Sequence, residues 1–420
     1  GCITLKWLYW ERNLKTRLIG ETMFNTLFWM YFPFMAIYYS DAFGKTIGGI
    51  LMAIIPLVGI IGNLLGGYLA DRLGRRPVML LGTIIQVAMF AVFALSHSHW
   101  INYLAYIGIG ISGALYSPAS SAMIADIVPE KDRRVVFATF VTANNIGAVF
   151  GPVLGSFFFF HYRSELLWTC TIVTFIYFIA IYFIIRETLP EASKNDGDNN
   201  PISKIFKEQW NNYTKIFSDK IFALYIVAGV LIMIAFMQLD LYLALYVKEF
   251  VPTQSLFSWN TGSFSLSNTQ IFGWMMGLNG ILFVLCSLPV AKYFENWSDR
   301  NVLLVSNVLF GIGMFLIGLT TNIWLLFGFM AILTIGELIR SPVVHSFVSK
   351  YAPENARGQY MAASNLQFTI GRFIAPIMIV FSTWLSPSVV FGIILLCALV
   401  SAVFYVKVFR MISNTTMHNE

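Results

Sequence analysis

Long apolar runs alternate along the chain with short polar breaks that hold most of the charge. This pattern predicts twelve membrane-crossing helices, at about residues 18–40, 47–70, 78–96, 100–126, 135–160, 166–185, 222–247, 270–291, 302–320, 323–349, 358–383 and 387–409. Each run approaches the roughly 20 residues that a helix needs to cross the hydrocarbon layer. Lipid offers no partner to a free backbone group, so a spanning segment must be a helix or belong to a closed barrel. A barrel would show alternating segments of about ten residues, and none is evident. Glu11, Arg12, Lys15 and Arg17 precede the first run without a small-residue cleavage site. That run therefore reads as a retained span and not as a removable signal.

Composition narrows the class. Of 420 residues, 57% are hydrophobic and 11% charged, against about 25% charged in soluble domains. No sizeable soluble domain is left over. A net charge of +6 would suggest nucleic acid in a soluble protein, but here its distribution sets orientation. Of 27 Lys and Arg, 22 fall on the side that holds both termini, three opposite (Lys45, Arg163, Lys248) and two within spans (Arg340, Arg372). The positive-inside rule then puts both termini in the cytoplasm of a multi-pass protein, most simply in a bacterial inner membrane. Cys170, Cys286 and Cys397 lie in apolar runs and Cys2 near the terminus, a pattern that predicts neither disulfides nor a metal centre. No Walker loop, H-E-x-x-H or G-x-S-x-G element occurs, so neither enzyme chemistry nor a cofactor is expected.

The longest inter-span segment divides the chain into 1–186, a linker at 187–221, and 222–420. The linker runs through Lys194, Asn195, Asp196 and Gly197 to a weakly amphipathic stretch with Lys204, Lys207 and Lys215, expected to lie on the membrane surface. An internal repeat supports the division. Ser117-Pro118 recurs as Ser341-Pro342, Pro129-Glu130 as Pro353-Glu354, Arg133 as Arg357, Gly147 as Gly371 and Pro152 as Pro376, always 224 residues apart. The same shift takes Asp71 to Glu295 and Arg76 to Arg300. Two homologous six-helix halves in parallel orientation are expected. The shift should fail before span 8, because the loop at about 248–269 is much longer than its counterpart.

The turn between spans 2 and 3 reads Gly67-Tyr68-Leu69-Ala70-Asp71-Arg72-Leu73-Gly74-Arg75-Arg76. It resembles the G-x-x-x-D-R-x-G-R-R signature of the major facilitator superfamily, whose members are all-α membrane proteins with two pseudo-symmetric six-helix bundles around a central cavity. Gly67 suits close helix approach and Gly74 a tight turn. Asp71 is expected to face a helix N-terminus, that of span 11 near Gly358. Arg72 is expected to reach Asp126 at the end of span 4. The resemblance implies that such contacts, with Arg75, Arg76 and Arg133, form a cytoplasmic gate; a purely orienting role is the alternative. In span 5, Gly147-Ala148-Val149-Phe150-Gly151-Pro152-Val153-Leu154-Gly155 is similar to the G-x-x-x-G-P-x-x-G element of antiporters of that family. Ser156 stands where the family has a last glycine. Gly147 and Gly151 lie one turn apart and predict a close-packing face, and Pro152 a kink.

Ionisable residues within spans cost at least about 2.5–3.5 kcal/mol at the bilayer centre, so they should face water or a partner. Glu337 lies mid-span in Gly336-Glu337-Leu338-Ile339-Arg340-Ser341-Pro342, with Arg340 within reach on the same face. Asp240 lies in span 7 within Met237-Gln238-Leu239-Asp240, and Arg372 deep in span 11. Glu337 and Asp240 are candidates for proton titration and cation attraction; static Glu337–Arg340 and Asp240–Arg372 pairs are the alternative. Glu21, one turn from Arg17, is a further candidate, although a local ion pair suits it equally.

Asp240 in a Q-x-D segment, Glu337 before a Ser-Pro, Arg17 and Asp126 together resemble the LmrP-type multidrug/proton antiporters. That group's acid early in span 5 falls at Phe140, which puts proton number and charge preference in doubt. The resemblance implies a monomeric, proton-coupled exporter of lipophilic, often cationic compounds by alternating access, with membrane lipid as its surroundings. A lipid or glycolipid translocase and a proton-coupled importer of a small nutrient stay open on the same fold.

Overall fold

The computed structural model describes residues 10–190 and 201–419, apart from the side chains of Arg134, His345 and residues 417–419. Cys2 and positions 191–200 of the expected linker lie outside the described residues. Among those described, eleven helical stretches are long and apolar enough to cross a membrane. The remaining apolar run, the first, is divided. Helix α1 (Arg12–Tyr31) passes into a 3-10 turn at Phe32–Phe34 and resumes as α2 (Met35–Phe43), because Pro33 cannot donate to the helical ladder.

The chain then runs through α3 (Lys45–Leu73), α4 (Arg75–Leu95), α5 (His99–Ile127), α6 (Glu130–His161), α7 (Arg163–Ile184) and α8 (Ile202–Phe217). Next come α9 (Lys220–Phe236), α10 (Tyr242–Phe250), α11 (Asn268–Phe294), α12 (Asp299–Ile317) and α13 (Ile323–Tyr351). Last are α14 (Arg357–Ser364), α15 (Leu366–Ile374), α16 (Ile377–Phe381) and α17 (Pro387–Asn419). The long loop before α11 carries strands β1 (Gln254–Trp259) and β2 (Gly262–Leu266), an antiparallel hairpin that hydropathy did not reveal. Its alternating Ser and aromatic residues suit a two-sided ribbon. Gln254 ties it to α13, donating to Thr321 O at 2.6 Å and accepting from Ile323 N at 3.1 Å.

Two compact units emerge. One comprises 1–32 and 54–202, the other 33–53 and 203–420. Within the first, α1 packs on α6, α4 on α5, and α7 on both α4 and α1. Within the second, α9 packs on α15, α12 on α13, and α17 on both α12 and α9. The pairs α4–α5 and α4–α7 and their counterparts under the 224-residue shift, α12–α13 and α12–α17, thus match between the units, as two homologous sequences should.

Small residues set the tightest crossing in the first unit. A methyl on Gly147 would lie 2.9 Å from Thr26 Cα, and one on Gly151 or Gly155 would run into the backbone of Trp29 or Met30. Helix α6 continues through Pro152 without interruption. Gly147→Val is therefore expected to push α1 and α6 apart, at a cost of about 1–3 kcal/mol. Thermal unfolding of the purified variant checks this, with Gly110→Val, which has open space around it, as the unaffected control.

Candidate functional site

Two of the apolar runs break exactly where they carry charge, and both breaks lie in the second unit. After α9 the chain tightens into a 3-10 turn, Met237–Asp240, and Leu241 takes φ −110°, ψ −101° before α10 begins. Neither glycine nor proline is present there. The side chain of Gln238 takes backbone partners instead, Ile234 O and Tyr242 N among them. Facing this break, α15 ends at Ile374 and α16 starts after Pro376, whose ring excludes the regular bond to the Arg372 carbonyl. Arg372 Nη1 donates to Asp240 Oδ1 at 2.8 Å, and its Nη2 donates to Oδ2. The planar guanidinium thereby meets the carboxylate through both oxygens.

Glu337 is placed differently. It sits on α13 one turn from Thr334, and Asn279 of α11 donates to Glu337 Oε1 at 3.3 Å and to Thr334 Oγ1 at 2.9 Å. No basic group is paired with it among the described residues. Arg340, expected within reach, turns away: its Nη2 donates to Tyr405 Oη at 2.6 Å, and the guanidinium lies over the rings of Tyr405 and Phe236. It is 2% exposed, and its Nε and Nη1 donate to no group among the described residues. Of the two expected acid–base couples, Asp240–Arg372 is closed and Glu337–Arg340 is open. The i, i+3 spacing allowed the second couple, but the aromatic slot between α9 and α17 captures the arginine first.

Glu21 belongs to a separate polar cluster in the first unit. Its Oε1 accepts from Tyr116 Oη at 2.6 Å, Ser120 Oγ at 2.8 Å and Arg17 Nη2 at 3.4 Å. Arg17 is fully buried, donates to the Ser120 carbonyl at 2.8 Å, and lies beneath the Phe140 ring. Beside the cluster opens a cavity of about 310 Å³, lined among others by Glu21, Asn25, Gln86, Phe137, Phe140 and Asn144. Phe140, at the position where the resemblance implies an acid, supplies an aromatic wall.

The α3–α4 turn corrects one expectation. Gly74 holds φ +108°, a value that disfavours a side chain. Arg75, and not Arg72, reaches Asp126: its Nε donates to Oδ2 at 3.0 Å while its Nη1 donates to Asp71 Oδ1 at 2.8 Å. Arg72, one residue short of the turn, bonds Tyr68 Oη and stacks on that ring. Arg76 donates to the Tyr182 carbonyl at 2.6 Å, and Arg133 to the carbonyls of Val128 and Ala125 at 3.0 and 2.8 Å. Glu187 is not marked by any motif in the sequence. Its carboxylate accepts from the backbone N–H groups of Arg75 and Arg76 at 3.0 and 3.2 Å, satisfying the first turn of α4. Thr188 adds a bond to Asp126 at 2.8 Å. Replacing Arg75 with Ala is expected to cost about 1–2 kcal/mol, since it removes the guanidinium that bridges Asp71 and Asp126. Arg72→Ala should stay within about 0.5 kcal/mol. Paired thermal midpoints decide between the two.

A profile of the Major Facilitator Superfamily matches residues 18–259 and 253–416. The chain belongs to that superfamily. It is a multi-pass membrane transporter by family. It is 37% identical over 418 residues, covering 98% of itself and 99% of the relative, to a Na(+), Li(+), K(+)/H(+) antiporter of Planococcus maritimus. Similarity to the multidrug resistance protein MdtH of Escherichia coli is lower, 24% over 86% of this chain and 84% of that protein. A POT family transporter solved with 5-aminolevulinic acid superposes with TM-score 0.74 over 95% of both chains at 16% identity. This last likeness concerns the fold alone. Among the described residues no group of three His, Cys, Asp or Glu is arranged to hold a metal ion.

Proposed function

We propose that this superfamily member is a proton-coupled exporter of monovalent cations, working by alternating access with its termini in the cytoplasm. The observation that carries the proposal is the state of Glu337, a membrane-embedded carboxylate that, among the described residues, is held by the neutral carboxamide of Asn279. With no fixed cationic partner, it must be neutralised by a proton or by a transported cation. Those two ligands compete for one charge, and competition is what exchange requires. Protonation on the outer side would expel the cation, and proton release on the inner side would restore its affinity. The Thr334 hydroxyl and the Asn279 carboxamide, on rotation, add neutral oxygen ligands suited to an alkali ion. The near full-length likeness to an antiporter of Na(+), Li(+) and K(+) supports that choice of substrate.

Arg340 gives the acid an internal alternative. Its Nε and Nη1, without a partner among the described residues and one turn from Glu337 in the chain, would meet the carboxylate once the proton leaves and the bundle repacks. Asp240–Arg372, closed here, would open in the converse state. A second reading, export of lipophilic cations in the manner of LmrP-type carriers, is favoured by the first unit's cavity, whose Phe137, Phe140 and Tyr116 suit an organic body and by the likeness to MdtH.

A panel test separates the two. In everted vesicles holding an acid interior, adding Na+, Li+ or K+ is expected to discharge the proton gradient within seconds. Tetraphenylphosphonium and ethidium discharging it while the alkali ions do not would assign the second reading. Neither group doing so would remove both.

A further inference from the structure

Gln238 is fully buried, and every arm of its carboxamide is used at the two helix breaks. Its Nε2 donates to Ile234 O at 3.0 Å and to Ala375 O at 2.8 Å, and its Oε1 accepts from Tyr242 N at 3.3 Å. Ile234 O and Tyr242 N are groups that the first break leaves short, while Ala375 O also accepts from Met378 N at 3.2 Å. Leu241 N takes the Gln238 carbonyl at 3.2 Å, so Tyr242 N, first residue of α10, has lost its regular acceptor. Ile234 O sits where α9 gives way to the 3-10 turn. Ala375 O precedes Pro376, whose missing N–H disturbs the bonding of the α15–α16 junction. One side chain thus bridges α9, α10 and the α15–α16 junction. The Asp240–Arg372 pair hangs between the same segments, two residues from Gln238 on one side and three from Ala375 on the other.

We infer that Gln238 is the positioning residue of the Asp240–Arg372 pair: its carboxamide fixes the break after α9 to the break before α16, so that the two charges stay in two-oxygen register and the breaks move together. Gln238 touches neither charge. It acts through the backbone of both partners' segments, since the span-7 turn aims Asp240 and the Pro376 junction aims Arg372. An apolar residue of equal length would fill the volume but leave Ile234 O and Tyr242 N short of a partner and Ala375 O with only its bond from Met378 N in a water-poor interior. The inference rests on the proposed role of Asp240 in transport.

The test uses the full-length protein in proteoliposomes with Na+ as the probe. The isosteric variant Gln238→Met is expected to lower proton-coupled Na+ flux about tenfold, with less than about a twofold change in the Na+ concentration at half-maximal flux. In an Asp240→Asn background the same substitution should change flux by less than about twofold, because coupled residues are not additive. Hydrogen exchange in segments 237–246 and 371–380 should rise together, with 299–317 unchanged. Equal fold losses in both backgrounds, or exchange rising in only one of the two segments, would overturn the inference. Gln238→Asn is the second variant where Gln238→Met does not insert: it keeps the amide but cannot span both carbonyls. It is expected to show the same non-additivity, and wild-type flux in it would overturn the inference too. Asp240→Asn transporting like wild type, with the two segments still exchanging together in Gln238→Met, would instead remove Asp240 from transport and leave Gln238 nothing to position for that purpose.

Discussion

Glu337→Gln is expected to abolish proton-driven export, lowering it by about a hundredfold or more, while the protein folds and inserts normally. The substitution preserves shape and the capacity to accept from Asn279, and removes only the titrating proton. A neutral amide also carries no burial penalty for charge, so stability should hold or rise slightly. What fails is the exchange: with nothing to protonate, the site cannot alternate between ligands. Substrate moving down its own gradient should survive in part and lose its dependence on external pH. Gradient-driven export unchanged in Glu337→Gln would withdraw the assignment.

The second large effect concerns the closed pair. Asp240 and Arg372 meet through both oxygens with side-chain exposures of 10% and 18%. Removing one member of such a pair strands the other charge, which typically costs about 3–5 kcal/mol. Asp240→Asn and Arg372→Met should each lower the thermal midpoint by on the order of 10 °C. The double variant should recover most of that loss, because an apolar or neutral replacement of both partners is close to neutral. Transport distinguishes a mechanical role from a static brace. If the pair serves only the fold, the double variant regains flux together with stability. The proposed mechanism expects stability to return and flux to stay at least about tenfold below wild type.

Hydropathy made most of the spans legible because the bilayer leaves little freedom: a run of about 20 apolar residues has few alternatives to a helix. The breaks were another matter. Pro33 and Pro376 carry recognisable signals, but the interruption at Met237–Leu241 has no glycine or proline, and the Gln238 carboxamide stands in there for the missing backbone acceptor of Tyr242 N. The hairpin at 254–266 was hidden inside a Ser- and Thr-rich loop that hydropathy reads as featureless. Of the partners that spacing allowed, Asp240–Arg372 and Arg17–Glu21 meet, whereas Glu337–Arg340 and Arg72–Asp126 do not. Sequence spacing permits Arg340 to meet Glu337, whereas the Tyr405 and Phe236 rings decide the rotamer. Similarly, Arg72 and Arg75 are equivalent by charge, and the turn at Gly74 selects Arg75 for Asp126. Glu187 escaped notice because capping a helix from another segment leaves no pattern in its own surroundings.

The central claim is that protons and cations move in opposite directions through one site. Its most direct measurement records both fluxes at once in proteoliposomes, with a pH dye inside and Na+ supplied outside. The proposal predicts that inward Na+ drives proton exit, that reversing the Na+ gradient reverses the pH signal, and that both signals vanish together in Glu337→Gln. Protons travelling in the same direction as the transported solute, or Na+ flux without any proton movement, would contradict it.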